Sequence, residues 1–305
     1  MNDLQLAGQI ARLKEEKNAV LLAHNYQPPE IQEIADFVGD SFVLSREAKE
    51  SPRNVIVFCG VRFMAESAKI LSPQKTVLLP APDAGCPLAD SITSEQLRQA
   101  RAACPDAAVV CYINTSADVK AESDICCTSS NAVIVVRSLK QKRILFVPDG
   151  NLASYVQEQV PEKEIIPWQG HCAVHARVVS ADVDRAKRLH PQALLLVHPE
   201  VPEEIRRRSD FIGSTGQIIT YAAHSGAKEF VIGTEAGILE ALRTVRPDAK
   251  FYLLTERLLC VNMKKTTLQK VYHSLVTMEN PVTVPEEISI RAGRCLNRML
   301  RVKER

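Results

Sequence analysis

Short apolar runs punctuate the chain at 19–23, 55–58, 77–79, 107–110, 144–147, 193–197, 230–232 and 251–254. Each is only a few residues long and rich in Val, Ile, Leu and Phe, and most stop at a Gly, a Pro or a polar residue. Apolar residues in unbroken succession, rather than in alternation, predict strands buried on both faces. Between the runs lie charged amphipathic stretches, such as 95–102 and 183–189, which predict covering helices. An α/β protein with parallel sheets and many βα units is therefore expected.

The pattern repeats. Shifted against itself by 86 to 88 residues, the chain aligns ADFVGDS at 35–41 with SDICCTS at 123–129 and SDFIGST at 209–215. In the same register three strand ends coincide: His24, Asn25 and Tyr26 with Tyr112, Ile113 and Asn114, and with His198, Pro199 and Glu200. Further along, the strands 55–58, 143–146 and 229–232 coincide, and Cys86, Cys172 and Cys260 each fall just after an apolar run. Agreement at four separate places predicts three homologous three-layer α/β/α units with parallel sheets around a pseudo-threefold axis. The units are expected at 1–85, 86–171 and 172–275, with 276–305 completing the first. The stretch 285–305 has no counterpart in the repeat and is expected to be a closing helix packed on the first unit. The repeat also reassigns AVIVV at 132–136: its β-branched content suggests a strand, but its partners 44–48 and 218–222 read as helix, so a buried helix is expected.

Composition and charge narrow the class. The 305 residues carry 38 Lys and Arg against 36 Asp and Glu, a net charge of +2, and 46% are hydrophobic, which gives no sign of a nucleic-acid or membrane partner. No apolar run approaches the roughly 20 residues a membrane span needs. The N-terminal stretch has neither a long apolar segment nor a small-residue cleavage site, so export is not indicated. Nine cysteines, an odd number without an export signal, argue against a disulfide framework. Cytoplasmic thiols, some of them metal ligands, are expected instead.

In parallel α/β units ligands bind beyond the carboxyl ends of the strands. Three units around one axis would aim those ends at a common centre and deliver one copy of every repeated position to it. Cys86, Cys172 and Cys260 would meet there, too far apart in sequence for a zinc ribbon but suited to an iron–sulfur cluster on three thiolates. Such a cluster leaves one iron open to act as a Lewis acid, which suits dehydration chemistry. Cys59, Cys104, Cys111, Cys126, Cys127 and Cys295 read as ordinary core thiols. Ser41, Ser129 and Thr215 stand at predicted helix starts, where a hydroxyl and free N–H groups either cap the helix or bind carboxylate or phosphate. Three such positions facing one cavity point to a small polyanionic substrate. His24 and His198 are candidate proton carriers or donors to an anionic oxygen. Tyr26 and Glu200 could supply a second acid–base pair, and Tyr112 and Asn114 offer neutral donors. His171 and His175, which flank Cys172, are expected to support that cysteine rather than to act on substrate.

Several segments are similar to quinolinate synthases: HNYQPPEIQEIADFVGDSFVLSREA at 24–48, VIVFCGVRFMAESAKIL at 55–71, AGCPLAD at 84–90, VCYINTSADVKAESDICCTSSNA at 110–132, WQGHCAVH at 168–175 and GSTGQ at 213–217. The resemblance runs in order over essentially the whole chain. It implies a [4Fe-4S] cluster on Cys86, Cys172 and Cys260 with one open iron. It also implies condensation of iminoaspartate with dihydroxyacetone phosphate to quinolinate, phosphate and two waters, in NAD biosynthesis. Substrate-binding residues implied by it are His24, Ser41, Tyr112, Asn114, Ser129, His198, Glu200 and Thr215, with His24, Tyr26 and Glu200 catalytic. An L-aspartate oxidase that supplies iminoaspartate is a candidate partner. The third cysteine motif reads CVNMKK, where many relatives carry a proline after the cysteine. The rival readings are a reductase of the isoprenoid diphosphate type, a non-catalytic iron–sulfur sensor or electron carrier, and a metal-free sugar-phosphate-binding protein. The polar strand ends disfavour the first, the second needs no convergent His, Tyr, Asn and Glu set, and the third predicts a colourless protein that tolerates serine at Cys86, Cys172 and Cys260.

Overall fold

A computed structural model describes residues 1–302. The first sheet comprises β1 (Ala19–His24), β2 (Phe37–Gly39), β3 (Val55–Cys59) and β4 (Thr76–Leu78). The second comprises β5 (Ala108–Tyr112), β6 (Ile125–Cys127), β7 (Arg143–Val147) and β8 (Glu164–Pro167). The third comprises β9 (Leu194–Val197), β10 (Phe211–Ile212), β11 (Glu229–Gly233) and β12 (Lys250–Leu253). All three are parallel and share one order, β2-β1-β3-β4, β6-β5-β7-β8 and β10-β9-β11-β12. The three α/β/α units expected from the repeat are therefore present.

The eight apolar runs mark eight of these strands. The four they do not mark are β2, β6, β8 and β10, each at a sheet edge. An edge strand needs few residues and less continuous burial: Phe37 and Val38 of β2 are exposed, whereas every residue of β1 and β5 is buried. The segment Ala132–Ser138 is a helix that buries Ala132, Val135 and Val136, as its register partners required.

Each chain order reverses direction between its two central strands, one unit at β1 and β3, the next at β5 and β7, the last at β9 and β11. The first of each pair leads out to one edge and the chain then returns to the other side. At such a reversal the two connections part and leave a crevice at the carboxyl ends. His24, Tyr112 and His198 lie at the ends of β1, β5 and β9, at these three crevices.

The C-terminal region departs from expectation. The helix Leu268–Thr277, most of which was assigned to the third unit by position, buries Leu268, Val271 and Leu275 with Leu6, Ile10 and Leu21 of the first. The helix Glu286–Arg301 carries its apolar stripe, Ala292, Cys295, Leu296 and Met299, into a core shared by the first two units. It packs on helix Ala117–Ala121 and on β6 of the second unit, and on helix Arg62–Leu71 of the first. It thereby bridges the two units. Among the described residues no helix is long and apolar enough to cross a membrane.

Candidate active site

The three crevices open into one cavity of about 240 Å³. Its wall includes His24, Tyr26 and Ser41 from the first unit, Tyr112, Asn114 and Ser129 from the second, and His198, Glu200 and Thr215 from the third. Cys86, Cys172 and Cys260 line it as well. All twelve residues singled out from the sequence thus face one space.

The histidines at the strand ends share a local geometry. His24 Nδ1 accepts the amide of Tyr26 at 3.1 Å, and His198 Nδ1 accepts the amide of Glu200 at 3.3 Å. This bond to residue i+2 assigns the ring proton to Nε2. Burial lowers the pKa of each to about 3, with Lys264 and then His198 adding to the effect at His24. Both rings are therefore neutral N–H donors at ordinary pH.

Around them runs a buried hydrogen-bonded chain. The Tyr26 hydroxyl lies 2.8 Å from Thr215 Oγ1 and 2.7 Å from Thr234 Oγ1. Thr234 Oγ1 lies 2.8 Å from His175 Nε2, and His175 Nδ1 lies 2.6 Å from Glu200 Oε2. Tyr112 adds its hydroxyl to the same carboxylate, and the His198 ring stacks on His175 with centroids 4.5 Å apart. Burial raises the Glu200 carboxyl, but His198, His175 and these hydrogen bonds outweigh it and hold the group low, so it is ionised. Burial pushes the Tyr26 phenol well above its usual value. The first and third units approach closely here: a Cβ on Gly237 would sit 2.7 Å from Tyr26 Cα, so only glycine lets the corner close.

The hydroxyls at the helix starts divide their labour. Asp40 caps helix Ser41–Glu50 through the amides of Phe42 and Val43, and Ser214 caps helix Thr215–His224 through Gln217. Ser41 and Thr215 are each the next residue, so neither hydroxyl is spent on capping. Ser129 lies in the turn before helix Ala132–Ser138.

The three cavity cysteines are built alike. Nearby amides favour the anion of each sulfur: those of Ala89 and Leu88 at Cys86, that of His175 at Cys172, and those of Met263 and Asn262 at Cys260. Burial pushes the Cys86 thiol up to about 12 and raises the other two, while these N–H donors favour the thiolate. Three soft donors, each supplied with amides that stabilise its anion, fit a thiolate-held metal group.

A family model described as quinolinate synthetase A protein matches residues 8–301. The chain belongs to the quinolinate synthase family. A quinolinate synthase of Clostridium kluyveri is 58% identical over 303 residues, 99% of this chain and 100% of that protein. One from Alkaliphilus metalliredigens is 56% identical with the same coverage, and one from Methanoregula boonei is 55% identical over 97% of each chain.

Membership of the quinolinate synthase family does not by itself find two members of the hydrogen-bonded chain. Thr234 was not singled out, and His175 was assigned only to the support of Cys172. A signal existed for Thr234: it follows β11 directly, and in the repeat its counterparts are Gly60 and Pro148, which carry no side-chain hydroxyl. A second cysteine group was also missed. Cys111, Cys126 and Cys295 are buried with their sulfur atoms within 4.8 Å of one another, close enough to hold a metal. Cys111 Sγ lies 3.5 Å from Cys126 Sγ and 3.6 Å from Cys295 Sγ. These three sit in the hydrophobic core, not on the cavity wall.

Proposed function

We propose that this chain is a cytoplasmic quinolinate synthase that condenses iminoaspartate with dihydroxyacetone phosphate to give quinolinate, phosphate and two waters. One observation carries the reading: a single cavity joins three amide-supported cysteines to a buried acid–base chain that ends on an ionised carboxylate. A sensor or electron carrier has no use for that chain, and the apolar tail of an isoprenoid diphosphate would find no partner among its polar groups.

Cys86, Cys172 and Cys260 would hold a [4Fe-4S] cluster, which when bound supplies a Lewis acid toward a substrate oxygen. The remaining chemistry belongs to the side chains. The neutral Nε2–H groups of His24 and His198, the hydroxyls of Ser41 and Ser129, and Asn114 offer donors to the carboxylates and phosphate. Arg177, also on the cavity wall, adds a positive charge. Tyr26 cannot stand as a phenolate in this burial, so it takes a proton only while passing its own on. Thr234 and His175 provide the path, and Glu200 receives the proton at Oε2. Run one way the relay removes a proton during phosphate elimination and isomerisation; run the other it returns one for ring closure and water loss. An L-aspartate oxidase would supply the iminoaspartate.

The test is anaerobic purification with iron and sulfide analysis, an absorption spectrum and a quinolinate assay on the same samples. Wild type is compared with Cys86→Ser, Cys172→Ser and Cys260→Ser. About four irons per chain, lost with activity in all three variants, is the expected result. A colourless protein that forms no quinolinate after reconstitution would sink the reading.

A further inference from the structure

The repeat column two residues beyond β3, β7 and β11 holds Val61, Asp149 and Glu235. In all three units the next residue ties this turn to the cysteine loop by backbone alone: Arg62 N–H to Ala84 O at 2.9 Å, Gly150 N–H to Gly170 O at 2.8 Å, and Ala236 N–H to Leu258 O at 2.9 Å. Two units add a second tie through a side chain. Asp149 Oδ2 accepts the amide of Cys172 at 3.0 Å, and Glu235 Oε1 accepts the amide of Cys260 at 3.1 Å. The other oxygen of each bonds its own turn, Asp149 Oδ1 with Leu152 N–H at 2.7 Å and Glu235 Oε2 with Gly237 N–H at 2.7 Å, and Lys264 Nζ pairs with Glu235 at 3.0 Å from Oε1 and 3.2 Å from Oε2. Both carboxylates are fully buried.

Helix capping explains one oxygen of Asp149, because it is the N-cap of helix Gly150–Gln159. It leaves the second oxygen unexplained, and it does not apply to Glu235, since helix Ile238–Val245 starts from Gly237; Lys264 balances the charge of Glu235 but does not account for the bond to the Cys260 amide. A buried carboxyl is costly unless its oxygens are bonded, and in both turns backbone amides supply those bonds. The side chain of Val61 can accept nothing. The Cys86 loop is held by its backbone tie and by short-range bonds such as Asp90 N–H to Cys86 O at 3.0 Å.

We propose that Asp149 and Glu235 are positioning residues that clamp two of the three ligand cysteines by their own amides. The Cys86 loop, without a clamp, is the one that opens first and through which the metal group enters and leaves. The second statement rests on the reading of Cys86, Cys172 and Cys260 as ligands; the first concerns the apoprotein and stands apart from it.

Hydrogen exchange read by mass spectrometry on the full-length apoprotein tests the clamp. The loop containing Cys86 is expected to exchange faster than those containing Cys172 and Cys260. Asp149→Ala should speed exchange at the Cys172 loop by about tenfold or more and leave the Cys260 loop unchanged, and Glu235→Ala should do the reverse. Asp149→Ser separates clamping from capping: serine still caps Leu152 but is too short to reach Cys172, so the helix stays protected while the Cys172 loop does not. Iron release to a chelator from the reconstituted protein should quicken in Asp149→Ala and Glu235→Ala, with Glu235→Gln, which keeps one accepting oxygen, in between. Equal protection of the three loops, or wild-type protection of the Cys172 loop in Asp149→Ser, overturns the proposal. Failure of the wild type to take up iron would instead overturn the ligand reading, and the exchange data would still decide the clamp.

Discussion

Replacing Thr234 by valine removes one oxygen and almost no volume. Thr234 is fully buried and does not line the cavity, so substrate never meets the change directly. Two hydrogen bonds disappear, at 2.7 Å to the Tyr26 hydroxyl and at 2.8 Å to His175 Nε2. Tyr26 keeps Thr215 at 2.8 Å, but among the described residues His175 Nε2 has no other partner. One unsatisfied buried acceptor costs about 1–3 kcal/mol, so the unfolding free energy of the apoprotein, measured by urea titration, should fall by an amount in that range. The catalytic loss should be larger. Cutting the relay between Tyr26 and Glu200 removes a general acid–base contribution worth roughly 10²–10⁴ in rate, or about 3–5 kcal/mol of barrier. Steady-state quinolinate assays on anaerobic, reconstituted protein should show kcat falling by that factor with KM nearly constant and iron content unchanged. Thr234→Ser restores the oxygen and should recover most of kcat. A Thr234→Val enzyme within threefold of wild-type kcat, or one whose loss lies in KM, would refute the relay.

Three further outcomes are expected. His24 and His198 have folded pKa values near 3 against about 6.5 unfolded, so between those values the unfolded chain binds protons that the fold refuses. Stability therefore falls as pH drops through that window, and His198→Asn should reduce the slope of unfolding free energy by roughly 1 kcal/mol per pH unit between about pH 5 and 6. Glu200, held low in the fold, gives the same sign of effect only below its ordinary value of about 4.3, outside that window. Lys120 is fully buried and donates to the carbonyls of Ile113, at 2.8 Å, and Thr115, on either side of Asn114. Lys120→Met leaves the Thr115 carbonyl unpaired and Ile113 with only the Thr115 amide, at 2.8 Å; it should destabilise the apoprotein by about 1–3 kcal/mol in urea unfolding and raise KM, and an unchanged midpoint would contradict this. Cys295→Ala removes a sulfur from the buried core group and should cost about 1–2 kcal/mol while leaving the iron content of the reconstituted protein intact, as measured by iron analysis.

Much of the site was legible because it is repeated. A residue at the end of β1 has counterparts at the ends of β5 and β9, and three sheets of identical order carry such residues to equivalent places. That is why His24, Tyr112 and His198 could be grouped before any contact was known. The same logic reached Cys86, Cys172 and Cys260 and exposed AVIVV as helix against its β propensity. Where the repeat is silent, the reading weakened. The helix Glu286–Arg301 has no counterpart, and its amphipathic stripe specified that it packs without specifying on what.

The sequence by itself determined the strands with continuous apolar burial, the threefold order of the units and the set of polar groups that share a centre. These follow from local periodicity and from repetition, both of which survive in a linear chain. The tertiary structure alone decided how those groups are wired. Tyr26, Thr234, His175 and Glu200 come from separate turns, and their 2.6–2.8 Å spacings are set by how the units pack. Cys111, Cys126 and Cys295 meet only because β5 pairs with β6 and the C-terminal helix returns across them. The neutrality of His24 and His198 likewise has no local cause, since it arises from desolvation, which exists only once the units have closed around the cavity.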